Sequence, residues 1–334
     1  MSFTMLPQEL LDAVCENLSP PDLARLSHTA SFLHLPAQRQ LYRHVAISPS
    51  RRNLSVVLTM ARKPHIAHLV RSFAIDLDSY STLLSPFYQQ LARALSSMTQ
   101  LTSLHLFVDP SASWILGNLS FSRLIHFACP FTLDSHVSAF LGRTPALLEL
   151  EVDSIPFRHE QPASTLTPSS VPHLQQFVGS SHAAEAVLAT PRPVHSVQLT
   201  GGDLTVDVAT RLSQSATNIA VLSAATSSAP AALLQTLAKR MQCLLHLRLM
   251  TTYSFAEEPD VNFYQDVAGA LNAFSDLQTF ELSGMHWGSQ ERKERMNSDS
   301  QRVWQSQPLE LEVPAGDDGL LDIDSYSDSM FLGY

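Results

Sequence analysis

The residue types that carry chemistry are scattered along this chain. His65 and His68 stand three apart, a spacing that sets two imidazoles on one helix face, as a metal site can use. No cysteine or carboxylate pairs with them at ligand spacing, so they read as surface histidines. Cys15, Cys129 and Cys243 lie more than a hundred residues from one another, which suits neither a zinc site nor a disulfide framework and fits a reducing compartment. Thioester chemistry needs an accessible, ionisable thiol. Cys15 and Cys129 instead fall at apolar positions of a predicted helix and strand, and Cys243 directly precedes one. The chain holds no Gly-x-Ser-x-Gly turn, His-Glu-x-x-His, Cys-x-x-Cys or Walker loop. The expectation is therefore no enzymatic centre, no cofactor and no metal. What remains are polar side chains on predicted strands: His105 with Phe107, then Glu149, Glu151 and Asp153, then His246 with Arg248. Alternation turns each set to one face, where it can bind a partner, and the three acids would form a negative patch.

The elements that position these residues recur. A template of apolar-x-x-apolar-x-apolar runs through Val70-Phe73-Ile75, Leu101-Leu104-Leu106, Leu124-Phe127-Cys129 and Leu147-Leu150-Val152. It continues as Leu174-Phe177-Gly179, Val194-Val197-Leu199, Ile219-Leu222-Ala224, Leu244-Leu247-Leu249 and Leu277-Phe280-Leu282, successive copies starting 20 to 33 residues apart. Helical spacing separates many of them, as in Phe87-Leu91-Leu95-Met98 and Leu233-Leu237-Met241. Strand and helix alternating at this period predict stacked parallel units, because one unit cannot bury its own apolar face. A doubly wound α/β domain would alternate in the same way, but more often opens on a glycine-rich turn. Eleven glycines in 334 residues, with Gly201-Gly202 the only adjacent pair, do not favour one. The region resembles an irregular leucine-rich repeat whose usual asparagine after each strand is mostly missing.

The first 48 residues carry a denser pattern. Pro7 can open a helix, and Leu10, Leu11, Val14 and Leu18 give it an apolar stripe. Ser19 can cap a second helix with Pro20 in its first turn and Asp22 three residues on, and Leu23 and Leu26 continue the apolar face. A third helical stretch starts near Ala30, with Pro36 expected to mark a break or restart, and the segment closes on Leu41-Tyr42-Arg43-His44-Val45. The Leu6-Pro7 opening, the Leu18-Ser19-Pro20-x-Asp22-Leu23 centre and this exit together resemble the F-box. The resemblance implies docking on the Skp-family adaptor of a cullin ubiquitin ligase through Leu6, Pro7, Glu9, Leu10, Leu18, Pro20, Asp22, Leu23 and Leu26. It implies a non-catalytic substrate-recognition subunit, the repeats taking a protein target. A scaffold of the same architecture without a degradative role is the alternative.

The expected organisation is an α/β chain: a three-helix F-box over 1–48, a linker helix over 49–68, an irregular leucine-rich-repeat solenoid over 69–288 and an acidic, largely disordered tail over 289–334. Gln290 to Arg295 could form a polar helix within that tail. Apolar residues make up 45% of the chain, enough for a substantial core. The net charge is −10, and seven carboxylates from Glu310 to Asp328 follow the last basic residue, Arg302. No basic field is left for nucleic acid. No apolar run reaches the ~18 residues of a membrane span, and no secretory signal is visible, so the cytoplasm or nucleus is expected.

Overall fold

The computed structural model of the chain describes residues 7–48, 50, 53–77, 83–153, 166–215, 219–252, 261–293 and 300–307. It begins with three short helices, α1 (Gln8–Glu16), α2 (Pro20–Leu26) and α3 (Ser31–Leu41). Ser19 caps α2, its hydroxyl lying 3.4 Å from the Asp22 amide and donating to the Asp22 carboxylate at 2.6 Å. Pro36 does not break α3; it is buried inside it, at the cost of one intrahelical bond. Cys15, Leu23 and Ala37 form a small interior of their own, with Leu18, Leu26 and Leu41 packed against it. Arg39 pairs with Asp12 at 2.9 Å, tying α3 to α1, and Arg43, just beyond α3, pairs with Glu16 at 2.8 Å.

The rest is a mixed α/β array. Twelve strands form one sheet in strict chain order, β1 to β12, parallel through β10. They are β1 (His44–Ile47), β2 (Ser72–Asp76), β3 (Ser103–Phe107), β4 (His126–Ala128), β5 (Glu149–Val152), β6 (Gln176–Ser180), β7 (Ser196–Gly201), β8 (Val221–Thr226), β9 (His246–Thr251), β10 (Thr279–Leu282), β11 (Met285–Lys293) and β12 (Ser300–Gln307). Between β1 and β2 lie α4 (Ser55–Arg62) and α5 (Pro64–Ala67). Later units carry α6 (Ser85–Ser96), α7 (Ser135–Leu141), α8 (Ser181–Val187), α9 (Val206–Ser215), α10 (Pro230–Arg240) and α11 (Val261–Leu271), and a 3-10 helix at Pro110–Leu116 stands after β3.

Strand order without a reversal excludes the doubly wound arrangement, which needs one. The burial pattern agrees. In β2, β3, β8 and β9 alternate residues are buried while most of their neighbours stay at least partly accessible, so helices cover a single face. The middle residue of the sequence template makes one continuous ladder, Phe73, Leu104, Phe127, Leu150, Phe177, Val197, Leu222, Leu247 and Phe280, every rung buried. Each such side chain contributes about 1.5–3 kcal/mol on burial. Gly179 stands where other units carry a larger side chain, because a Cβ there would lie 2.2 Å from the Val152 carbonyl oxygen.

Serine–aspartate bonds join successive units at or beyond the strand ends. Ser113 donates to Asp134 at 2.5 Å, Ser180 to Asp153 at 2.5 Å, and the Ser227 amide to Asp203 at 2.6 Å. Asp134 also caps α7 through the amides of His136 and Val137. Buried Arg192 gathers the carbonyls of Thr167, Ser170, Val187 and Thr190.

Three expectations need correction. The strand β1 lies inside the segment read as helical and exit-like, and the sheet begins there, at His44. The single linker helix expected over 49–68 is two, α4 and α5, and α4 buries Val57, Met60 and Ala61 while Leu58 stays exposed. Gln290–Lys293 is strand, not polar helix: a two-residue turn at Ser283 and Gly284, both at positive φ, folds β11 back on β10, and β12 pairs with β11. Trp287 and Trp304 are buried in the main core, so part of the segment expected to be a tail closes the sheet instead. Residues 308–334 lie outside the described residues.

Candidate functional site

Two surfaces gather the residues singled out from the sequence. The first belongs to α1–α3. Pro7, Glu9, Leu10, Pro20 and Asp22 are exposed, and Leu6 lies outside the described residues. Leu18 and Leu26 are half-buried and Leu23 is buried, all serving the small interior, so Leu23 cannot reach a partner as expected without opening the three-helix unit. The apolar stripe of α1 divides. Leu11 and Cys15 point inward, whereas Leu10 (51% exposed) and Val14 (45%), one turn apart, occupy an outward flank. On α3, Phe32 and Leu35 are likewise exposed. Val14, Phe32 and Leu35 were not among the candidates, because a wide apolar stripe does not show which flank the neighbouring helices will cover.

The second surface is the open face of the sheet. One row across it reads Ser72, Ser103, His126, Glu149, Gln176, Ser196, Val221, His246 and Thr279, and the next Ala74, His105, Ala128, Glu151, Val178, Gln198, Ser223, Arg248 and Glu281. Neighbouring strands knit these rows together. His126 Nδ1 lies 2.7 Å from Glu149 Oε2, His246 Nδ1 bonds Thr279 Oγ1 at 2.7 Å, and Arg248 Nε lies 3.2 Å from Glu281 Oε1. His105, half-buried between strands, is pushed below the usual imidazole range by burial and then by His126, with Glu149 opposing. Phe107 stands in register with Asp76.

The expected row of three acids is altered. Glu149 is paired with His126, and Glu151 stands between Ala128 and Val178. Asp153 has left the strand with φ 53° and accepts from Ser180. Burial raises its carboxyl above the usual range, the Ser180 bond and His182 opposing.

Ser103, His126 and Glu149 stand in one row, the residue types of a nucleophile, a base and an acid. Among the described residues no hydrogen bond joins Ser103 to His126, and the amides of Ser103, His126 and Glu149 are engaged with neighbouring units, so these backbone groups supply no oxyanion donor. Cys15 and Cys129 are buried, and burial pushes both thiols upward; Cys243 is exposed. His68 Nδ1 bonds Thr99 Oγ1 at 2.8 Å, and among the described residues no group of three His, Cys, Asp or Glu could hold a metal. No described helix is long and apolar enough to cross a membrane.

Neither a protein-family model nor a curated protein sequence matches this chain.

Proposed function

We propose that the chain is the substrate-recognition subunit of a Skp–cullin–F-box ubiquitin ligase, with an F-box in α1–α3 and an irregular leucine-rich-repeat solenoid from β1 onward. The observation that carries this reading is the pairing of a three-helix unit that leaves Pro7, Leu10 and Val14 uncovered with a singly wound parallel array that keeps one polar face open. Exposed apolar side chains in a row are what an adaptor groove buries, and a few such anchors carry most of an interface's energy. The open face, with His105, Phe107, Glu149, Glu151, His246 and Arg248, is broad enough in residue type to read a protein target. Asp153 is committed to Ser180 and braces that face instead of contacting the target.

Such a subunit needs no bond-making residue. It raises the effective concentration of a target lysine beside a charged conjugating enzyme. The deciding experiment is affinity purification of the full chain from cells, with and without proteasome inhibition. Recovery of the Skp adaptor and cullin, lost in Pro7→Ala/Leu10→Ser, supports the receptor. Recovery of the adaptor without cullin would favour a non-degradative scaffold, and recovery of neither would remove the F-box assignment.

A further inference from the structure

We propose that Arg71 and Arg123 form a phosphate-binding clamp at the turns that lead into β2 and β4. This site is separate from both surfaces above and does not depend on the receptor reading. Arg71 Nη1 donates to Gln100 Oε1 at 3.0 Å and Arg123 Nη1 donates to the same oxygen at 2.8 Å, so two guanidinium groups from alternate units converge on one atom. The base of the clamp is rigid. The Arg71 carbonyl accepts from the amides of Thr102 and Ser103 at 2.8 and 3.1 Å and from the Thr102 hydroxyl at 2.9 Å.

The charge balance points to a missing anion. Gln100 supplies a neutral oxygen, and among the described residues neither Arg71 nor Arg123 has a carboxylate partner. Two like charges held at a shared neutral acceptor repel each other, and an anion seated between them relieves that repulsion. Each guanidinium also keeps donors to spare: among the described residues only its Nη1 is engaged, that of Arg71 also reaching the Gln100 carbonyl at 3.4 Å. Arg123 is exposed and Arg71 half-buried, so the donors are accessible.

The class of anion follows from geometry. A carboxylate is planar and carries one charge, which a single guanidinium fork already neutralises. A phosphate monoester carries about −1.5 to −2 at neutral pH and has three acceptor oxygens out of one plane, which suits two forks arriving from different turns. The phosphoryl group could belong to a phosphorylated side chain of a protein or to a small phosphorylated molecule, and the clamp chemistry is the same.

The test uses the full chain with inorganic phosphate, followed by melting temperature and calorimetric titration at constant ionic strength. Phosphate should raise the melting temperature relative to chloride, acetate should not, and Arg123→Gln should abolish the shift while leaving the circular dichroism unchanged. Arg71→Gln should do the same; if it fails to fold, Arg123→Gln alone decides. Arg211→Gln, an exposed arginine already paired with Glu185, should keep the shift. A second arm compares serine-phosphorylated peptides with their unphosphorylated twins. Arg123-dependent binding tighter than inorganic phosphate assigns the ligand to a phosphorylated protein segment, and its absence alongside a phosphate shift assigns it to a small molecule. An equal shift with acetate, or a phosphate shift that survives both arginine substitutions, would overturn the clamp.

Discussion

The Ser180 hydroxyl donates to Asp153 at 2.5 Å and accepts the Ala183 amide at 3.1 Å, so one side chain both caps α8 and holds the turn that leaves β5. The partner it holds is a non-glycine residue at φ 53°, in the region that aspartate and asparagine tolerate best. A bond between residues 27 apart thus fixes two successive units against each other.

Asp153→Asn is expected to preserve this arrangement and remove its pH dependence. Burial, the largest influence, raises the folded-state pKa of Asp153 above its ordinary value of 3.8. A raised carboxyl means the folded state holds its proton longer. The stability from that proton is fully present below the unfolded pKa and is lost as pH rises through the folded one. Urea melts from pH 3 to 7 should show a smaller decline over this acid window for the variant, with equal or higher stability at pH 7. A variant clearly weaker than the wild type at pH 7 would mean that the ionised carboxylate is needed.

Leu104→Asp should unfold the array locally, whereas His105→Asp should be tolerated. Leu104 is a fully buried rung and its neighbour lies on the open face. An unpaired buried carboxylate costs several kcal/mol. Comparable losses in midpoint denaturant for the two variants would contradict the register of β3.

Trp304→Ala should destabilise the chain by about 3–5 kcal/mol, the usual range for removing a large buried aromatic. Trp304 is 2% exposed and belongs to the main core. Deleting 314–334 should leave the melting temperature nearly unchanged, but ending the chain at residue 299 should lower it sharply. Equal melting of the two truncations would show that β12 adds nothing to the core.

A thiol reagent applied to the native protein should label Cys243 alone, with Cys15 and Cys129 reacting only after denaturation. Cys243 is exposed and the others are buried with raised thiol pKa values. Fast native labelling that persists in Cys243→Ser would place a reactive thiol elsewhere. Ubiquitin-chain formation by the isolated chain, lost in the same variant, would overturn the non-catalytic reading.

The sequence by itself determined the recurring strands, because a period-2 apolar pattern with a fixed lead residue can bury only one face of a sheet. Phe73, Leu104, Phe127 and their counterparts were legible for that reason, as was Ser19 ahead of α2, where capping is local. Which flank of α1 stays bare was not legible: Leu10 and Leu11 are equally apolar, and only the placement of α3 covers one of them. β11 and β12 were missed because their residues are mostly polar and lack alternation; the exposed edge of β10 supplies the hydrogen bonds that make them strands. Ser113 with Asp134, Ser180 with Asp153, and Gln100 with Arg71 and with Arg123 lie 21 to 29 residues apart along the chain. No local signal encodes such bonds. They exist because stacking returns each unit to the same position beside the last, and that return is decided by tertiary packing alone.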